Sequence, residues 1–276
     1  RSFSASGTCP MPEHRTRILA VTNQKGGVGK TTTAVNLAFG LAREGFKVLL
    51  VDGDTQGQAA KFLGVSPRFG LYEFITGCDE TGQSISQKDT LCLCRKNLWL
   101  LGGGIKLVEL KHWLGEQPRT VRQGVLTNAL VPKDGILDYL IFDCSPGWDV
   151  LSVNILMAVS EVLCPVALQG PALEGLKTFF GYLMSAQRLN LELQLKYILP
   201  TMFDQRTHHS SDILRQLRRL FHKQICDPIR YNVRLSEAAV RGRTIFEYRT
   251  SASSAKDYGK LLWRVQQDGQ KDQKIA

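Results

Sequence analysis

No apolar run in the sequence approaches the ~18–20 residues that cross a bilayer as a helix, so no membrane-spanning helix is predicted. Cysteine is too thinly spread for a disulfide scaffold: seven residues in 276, an odd count. That excludes a small secreted framework and fits a reducing cytosol. Acidic residues are in deficit. There are 35 Lys and Arg against 25 Asp and Glu, a formal net charge of +10. The surplus predicts a polyanionic partner, either nucleic acid or an acidic membrane surface. Internal repeats and low-complexity segments are absent from the sequence. With 43% hydrophobic and 22% charged residues, the balance is that of a globular chain.

Residues 1–14 carry no apolar h-region of a secretory signal and are expected to be disordered, with Met11 a candidate start. Order begins near Arg17. Short apolar runs at 18–21, 48–51, 98–101, 137–142, 162–168 and 195–199 read as buried strands. Helical spacing is found over 31–44, 105–130 with a break near Pro118, 173–189, 212–222 and about 255–267. Residues 76–97 read as a polar surface excursion, and the tail 268–276 as polar and frayed. Alternation of strands and helices predicts one α/β domain over 15–267, a doubly wound, mostly parallel sheet flanked by helices.

The strongest local signal is Asn23-Gln24-Lys25-Gly26-Gly27-Val28-Gly29-Lys30-Thr31-Thr32, between the first strand and the first helix. Glycines let backbone N–H groups turn inward around a phosphate, and the helix N-terminus behind them favours anions. Lys30 is placed to reach the β- and γ-phosphates, and the Thr31 hydroxyl to ligate Mg²⁺. Gln24 stands where the strict phosphate-loop pattern has its first glycine, and a second lysine, Lys25, enters the loop. Two further strands end in acids: Val51-Asp52-Gly53-Asp54 and Ile141-Phe142-Asp143. Carboxylates at the carboxyl ends of parallel strands overlook the ligand crevice, where they can hold Mg²⁺ and orient a water.

Charge is concentrated late in the chain. Residues 205–249 hold ten Arg and Lys against four Asp and Glu. Arg215, Arg218, Arg219 and His222 share one helix face, opposite Ile213, Leu214, Leu217, Leu220 and Phe221, and Arg230, Arg234, Arg241 and Arg243 follow. Such a stripe binds phosphates without reading sequence. Cys92 and Cys94 have no nearby partners for a tetrahedral metal site.

The loop Lys-Gly-Gly-Val-Gly-Lys-Thr-Thr is a deviant Walker A motif, and from about Arg17 to Val265 the chain resembles the ParA/Soj family of partitioning ATPases within the MinD-like group. The resemblance implies ATP and Mg²⁺ as cofactors and a loop, Gly26 to Thr32, that cradles the phosphates. It implies that Lys25 crosses to the partner's nucleotide in an ATP-bound homodimer, and that Asp54 positions the attacking water. Asp143 matches the Walker B acid, so the metal set is Thr31, Asp54 and Asp143, partly through water. Residues 230–238 resemble the segment beside the adenine, placing Tyr231 there with Arg230 and Tyr231 replacing Pro and Arg. Non-specific double-stranded DNA is expected on Arg215, Arg218, Arg219, Arg234 and Arg241, and a ParB-type protein is the expected activator of slow hydrolysis. The expected place is the cytoplasm, on the nucleoid. A MinD-like or other cargo-positioning ATPase is the alternative. The last helix is read as docked on the core, so no stable membrane association is expected. An iron–sulfur reductase of related loop type is disfavoured because its cysteine segments are not seen.

Overall fold

Seven strands make one sheet: β1 (Arg17–Val21), β2 (Val48–Gly53), β3 (Cys92–Arg95), β4 (Leu98–Leu101), β5 (Tyr139–Cys144), β6 (Glu161–Ala167) and β7 (Gln194–Thr201). This computed structural model describes residues 15–132 and 135–275. The disorder expected for residues 1–14 concerns residues outside that range. The strand order is β3-β4-β2-β5-β1-β6-β7. Every neighbouring pair is parallel except β3 with β4, which is antiparallel. Strands β2, β5 and β6 are buried along their whole length, as expected where helices cover both faces of a parallel sheet.

Alternate residues of each strand feed two separate cores. One layer contains the helices Leu107–Glu116, Val150–Ala158, Ala172–Gln187 and His208–Leu220, packed on Ile18, Ala20, Leu140 and Phe142. The other contains the helices Lys30–Arg43, Gln58–Leu63, Val233–Val240 and Ser253–Ile275, packed on Leu19, Val21, Leu50 and Ile141. In the second layer the last helix buries Ala255, Tyr258, Leu261, Leu262 and Val265, the five positions its spacing selects. The Tyr258 and Thr33 hydroxyls are 3.2 Å apart, joining it to the helix Lys30–Arg43.

The structure corrects several boundaries. The excursion 76–97 contains the helix Gln87–Thr90 and the edge strand β3, whose Cys94 faces the core and whose Leu93 is exposed. Its short alternation Cys-Leu-Cys is too brief to stand out from turn-rich surroundings. The tail expected to fray from Asp268 continues as helix to Ile275. Gln and Lys are good helix formers, so polarity alone did not stop it. Leu220, expected on the buried side of its helix, is 64% exposed, because the helix ends there and Phe221 turns inward to stack on Phe180.

Leu262 lies against Gly40 in the core between two helices. Leu262→Ala is expected to lower unfolding stability by roughly 2–5 kcal/mol in urea denaturation. A loss below about 1 kcal/mol would show that the last helix is not docked there.

Candidate nucleotide site

The parallel register brings the acids together. Asp52 of β2 pairs in register with Asp143 of β5, and Asp143 with Val21 of β1, from which the glycine loop departs. Buried Asn23 fixes the start of that loop: its amide donates to the Pro165 carbonyl at 2.7 Å, and its Oδ1 accepts the Lys25 N–H at 3.0 Å. Gly27 and Gly29 have φ of 71° and 88°, the left-handed region where a β-carbon is costly. Buried Val28 is held from behind, its carbonyl accepting the Thr201 hydroxyl at 2.9 Å. The helix begins at Lys30 without a side-chain cap, so its first N–H groups face the crevice as an anion site. Thr31 and Thr32 lie in that first turn, half-buried, and Gly26 is exposed at the tip.

Lys30 is buried, and its ammonium donates to the Lys25 carbonyl at 3.0 Å, spanning the loop. Burial lowers its pKa, and Asp143 opposes the shift. The Lys25 side chain runs beside Gly170 and Gly175, at the start of the helix Ala172–Gln187.

Asp143 is fully buried, and neither carboxylate oxygen closes a hydrogen bond of normal geometry. Burial raises its pKa well above the usual carboxylate range, and Asp52 raises it further; Lys30 and the nearby Thr31 hydroxyl pull the other way. Asp52 is also buried, yet satisfied. It accepts the Asp54 N–H at 2.9 Å and the Ala59 N–H at 3.0 Å, while burial pushes its pKa to about 6. Half-buried Asp54 caps its own turn, accepting the Gln56 N–H at 3.0 Å. A buried carboxylate with empty acceptor oxygens is costly unless protonated or metal-bound. With its neighbours Thr31 and Asp54, Asp143 offers an all-oxygen donor set, with the Lys30 cation beside it, which fits Mg²⁺.

Beside the loop is a cavity of about 550 Å³, lined by Thr32, Thr201, Met202, Tyr231, Leu235 and Tyr258 among others. Tyr231 is among the lining residues, 58% exposed. Arg230 also lines the cavity, its guanidinium held in a bidentate pair with buried Asp257 at 2.6 and 2.9 Å. Thr201 and Met202 are lining residues that the sequence reading missed. They carry no charge or glycine pattern, and only the end of β7 brings them to the loop.

The basic residues are not brought to one face. Arg215, Arg218 and Arg219 are exposed on the helix His208–Leu220 in the first layer. Arg234 and Arg241 flank the helix Val233–Val240 in the second. Arg234 pairs with Glu237 at 2.6 Å, Arg241 donates to the Tyr248 hydroxyl at 3.0 Å, and Arg215 pairs with Asp212 at 3.3 Å.

Known proteins are similar to this chain in sequence and fold. A family model described as an AAA domain matches residues 16–195. The sporulation initiation inhibitor protein Soj of Bacillus subtilis (strain 168) is 34% identical over 260 residues, covering 92% of this chain and 99% of that protein. The chain belongs to the ParA/Soj family of P-loop ATPases. The family member from Myxococcus xanthus, the chromosome partitioning protein ParA, is 35% identical over 250 residues, 88% of this chain and 85% of its own. A crystal structure of cobyrinic acid a,c-diamide synthase from Mycobacterium smegmatis, with bound ADP and magnesium, superposes with a TM-score of 0.74 at 30% identity. It covers 90% of this chain and 92% of that one. In this ParA/Soj chain the doubly wound sheet and the deviant loop therefore have the fold that the sequence predicts.

The raised pKa values of Asp52 and Asp143 have a consequence for stability. The folded state holds protons that the unfolded state releases near pH 4, so stability falls as pH rises from about 4 through 6 and beyond. Without Mg²⁺, Asp143→Asn should therefore melt higher than wild type at pH 7.5, with the gain shrinking toward pH 4. Equal melting temperatures at pH 7.5 would remove the charge penalty at Asp143.

Proposed function

We propose that this ParA/Soj-family chain is an ATP-driven switch for DNA segregation. The observation that carries the reading is Lys30 spanning the glycine loop beside Asp143, a buried carboxylate with no partner of its own. The N–H groups of Gly26 to Thr32 bind the phosphates, and Lys30 neutralises charge on the β and γ groups. The cavity behind Thr32 takes the adenosine, with Tyr231 at its edge. Thr31, Asp54 and Asp143 would hold Mg²⁺, partly through water, and the ion would supply neutralisation of phosphate charge. Asp54 orients the attacking water, in the role the motif assigns it.

Lys25 is not needed inside its own loop, because Lys30 closes it. In the proposed homodimer Lys25 leaves Gly170 and Gly175 and enters the partner's site, where a cation stabilises charge on the transferring phosphoryl group. Turnover is slow and Mg²⁺-dependent, so the ATP state lasts long enough to act. That state binds double-stranded DNA without sequence preference and is discharged by a ParB-type protein; the Myxococcus xanthus relative is a chromosome partitioning protein, which supports a segregation role. The protein then works in the cytoplasm on the nucleoid. Burial of the last helix's apolar residues against the core favours DNA over a membrane as the matrix. Among the described residues, no helix is long and apolar enough to cross a membrane.

Lys30→Ala should abolish ATP binding in calorimetry. Asp54→Ala should bind ATP and accumulate as a dimer in sedimentation while losing turnover; wild-type turnover in that variant would take Asp54 out of the mechanism. The two cationic groups make separable predictions. Arg218→Glu with Arg219→Glu, compared with Arg234→Glu with Arg241→Glu, should weaken DNA binding and flatten its salt dependence on whichever layer meets the duplex. Full DNA affinity in both double variants would discard the basic residues as the contact.

A further inference from the structure

One short segment touches the loops of both acids. Gly103 lies so close to the Asp54 loop that a β-carbon there would stand 2.6 Å from the Asp54 carbonyl oxygen and 2.7 Å from that of Asp52. The next residue, Gly104, donates its N–H to the same Asp54 carbonyl at 2.9 Å. The Gly104 carbonyl accepts the Leu107 N–H at 2.9 Å, so the helix Leu107–Glu116 starts directly from this contact. One turn later, Lys111 Nζ is 2.7 Å from Asp149 Oδ2.

Asp149 closes the loop that follows Asp143. Its Oδ1 accepts the Ser152 N–H at 2.8 Å and the Ser152 hydroxyl at 3.0 Å, capping the helix Val150–Ala158. Its neighbour Trp148 stacks on Tyr182 with ring centroids 4.9 Å apart. The Lys111 and Asp149 side chains are only 23% and 34% exposed, so solvent and salt screen the pair less than an open surface pair. Lys111 itself is neither on the phosphate loop nor at the cavity wall.

We infer that Lys111 is a positioning residue for ATP turnover: it holds the loop after Asp143 in register with Asp54, through the segment Gly102–Lys111. This rests on the ATPase reading above. Chemistry requires both acids in place at once, and one rigid connector supplies that condition without touching the nucleotide. Ground-state ATP binding depends on the glycine loop and the cavity, so it is left alone.

The test is steady-state ATP hydrolysis by the full chain at saturating Mg²⁺. The variants are Lys111→Met, Lys111→Arg, Asp149→Asn and the Met/Asn double variant. Asparagine keeps the helix cap and removes only the charge. Lys111→Met should lower kcat about tenfold, and Asp149→Asn similarly. KM for ATP should stay within about twofold of wild type. Lys111→Arg should recover most of kcat, and the double variant should lose no more than either single one. Wild-type kcat in Lys111→Met, a KM that rises in step with the loss, or losses that multiply in the double variant would each overturn the inference. Should Lys111→Met not fold, Asp149→Asn decides alone, and a wild-type kcat there overturns it. No ATP turnover by the wild-type chain is a different result, which removes the ATPase reading and this inference with it.

Discussion

The parallel pairing of β2 with β5 sets two carboxylates side by side at the carboxyl ends of central strands, and the rest of the site follows from that contact. Asp52 and Asp143 share a register, both are buried, and the charge on Asp52 raises the cost of charging Asp143. The fold answers for one of them. Asp52 takes two backbone N–H groups and thereby shapes the turn that carries Asp54. Asp143 is left open, facing the first turn of the phosphate-loop helix. A cation arriving there gains a desolvated ligand and relieves a penalty, so metal binding and stability are linked.

The surroundings are arranged to hold these strand ends rather than to act themselves. Asn23 and Thr201 anchor the glycine loop to β6 and β7. Asn36 joins the phosphate-loop helix to the Thr244–Tyr248 segment by accepting the Ile245 N–H at 2.9 Å. Arg230 is tied to Asp257 at the wall of the cavity beside the loop. These contacts are short, buried or half-buried, and made by groups whose loss would move the site without touching a ligand. Asp52 and Gly103 belong to the same class, since both fix the Asp54 loop from inside the protein.

Much of this was legible in the sequence. The core strands, the glycine loop, Asp54 and Asp143, and the docked face of the last helix all carry local signals: apolar runs, a motif at a strand–helix junction, and a 3.6-residue spacing. The lost parts depend on tertiary position. Edge strand β3 is too short to show a period, and Thr201 and Met202 are ordinary residues until β7 ends beside the loop. The three glycines after β4 read as a strand terminator, but at Gly103 the reason is contact with the Asp52 and Asp54 backbone. The basic residues show the limit most clearly. They are neighbours in sequence, yet the sheet runs between Arg218 and Arg234, because the chain crosses from one layer to the other after Ile225. Charge counted along a chain does not say which face it occupies.

The central claim is that nucleotide state at these strand ends governs association with DNA. Binding of the wild-type chain to random-sequence duplex, with ATP, ADP or no nucleotide at two salt concentrations, tests it most directly. The account predicts binding that requires ATP and Mg²⁺ and weakens steeply with salt. Binding that is equal in all three states, or absent in all of them, would contradict it.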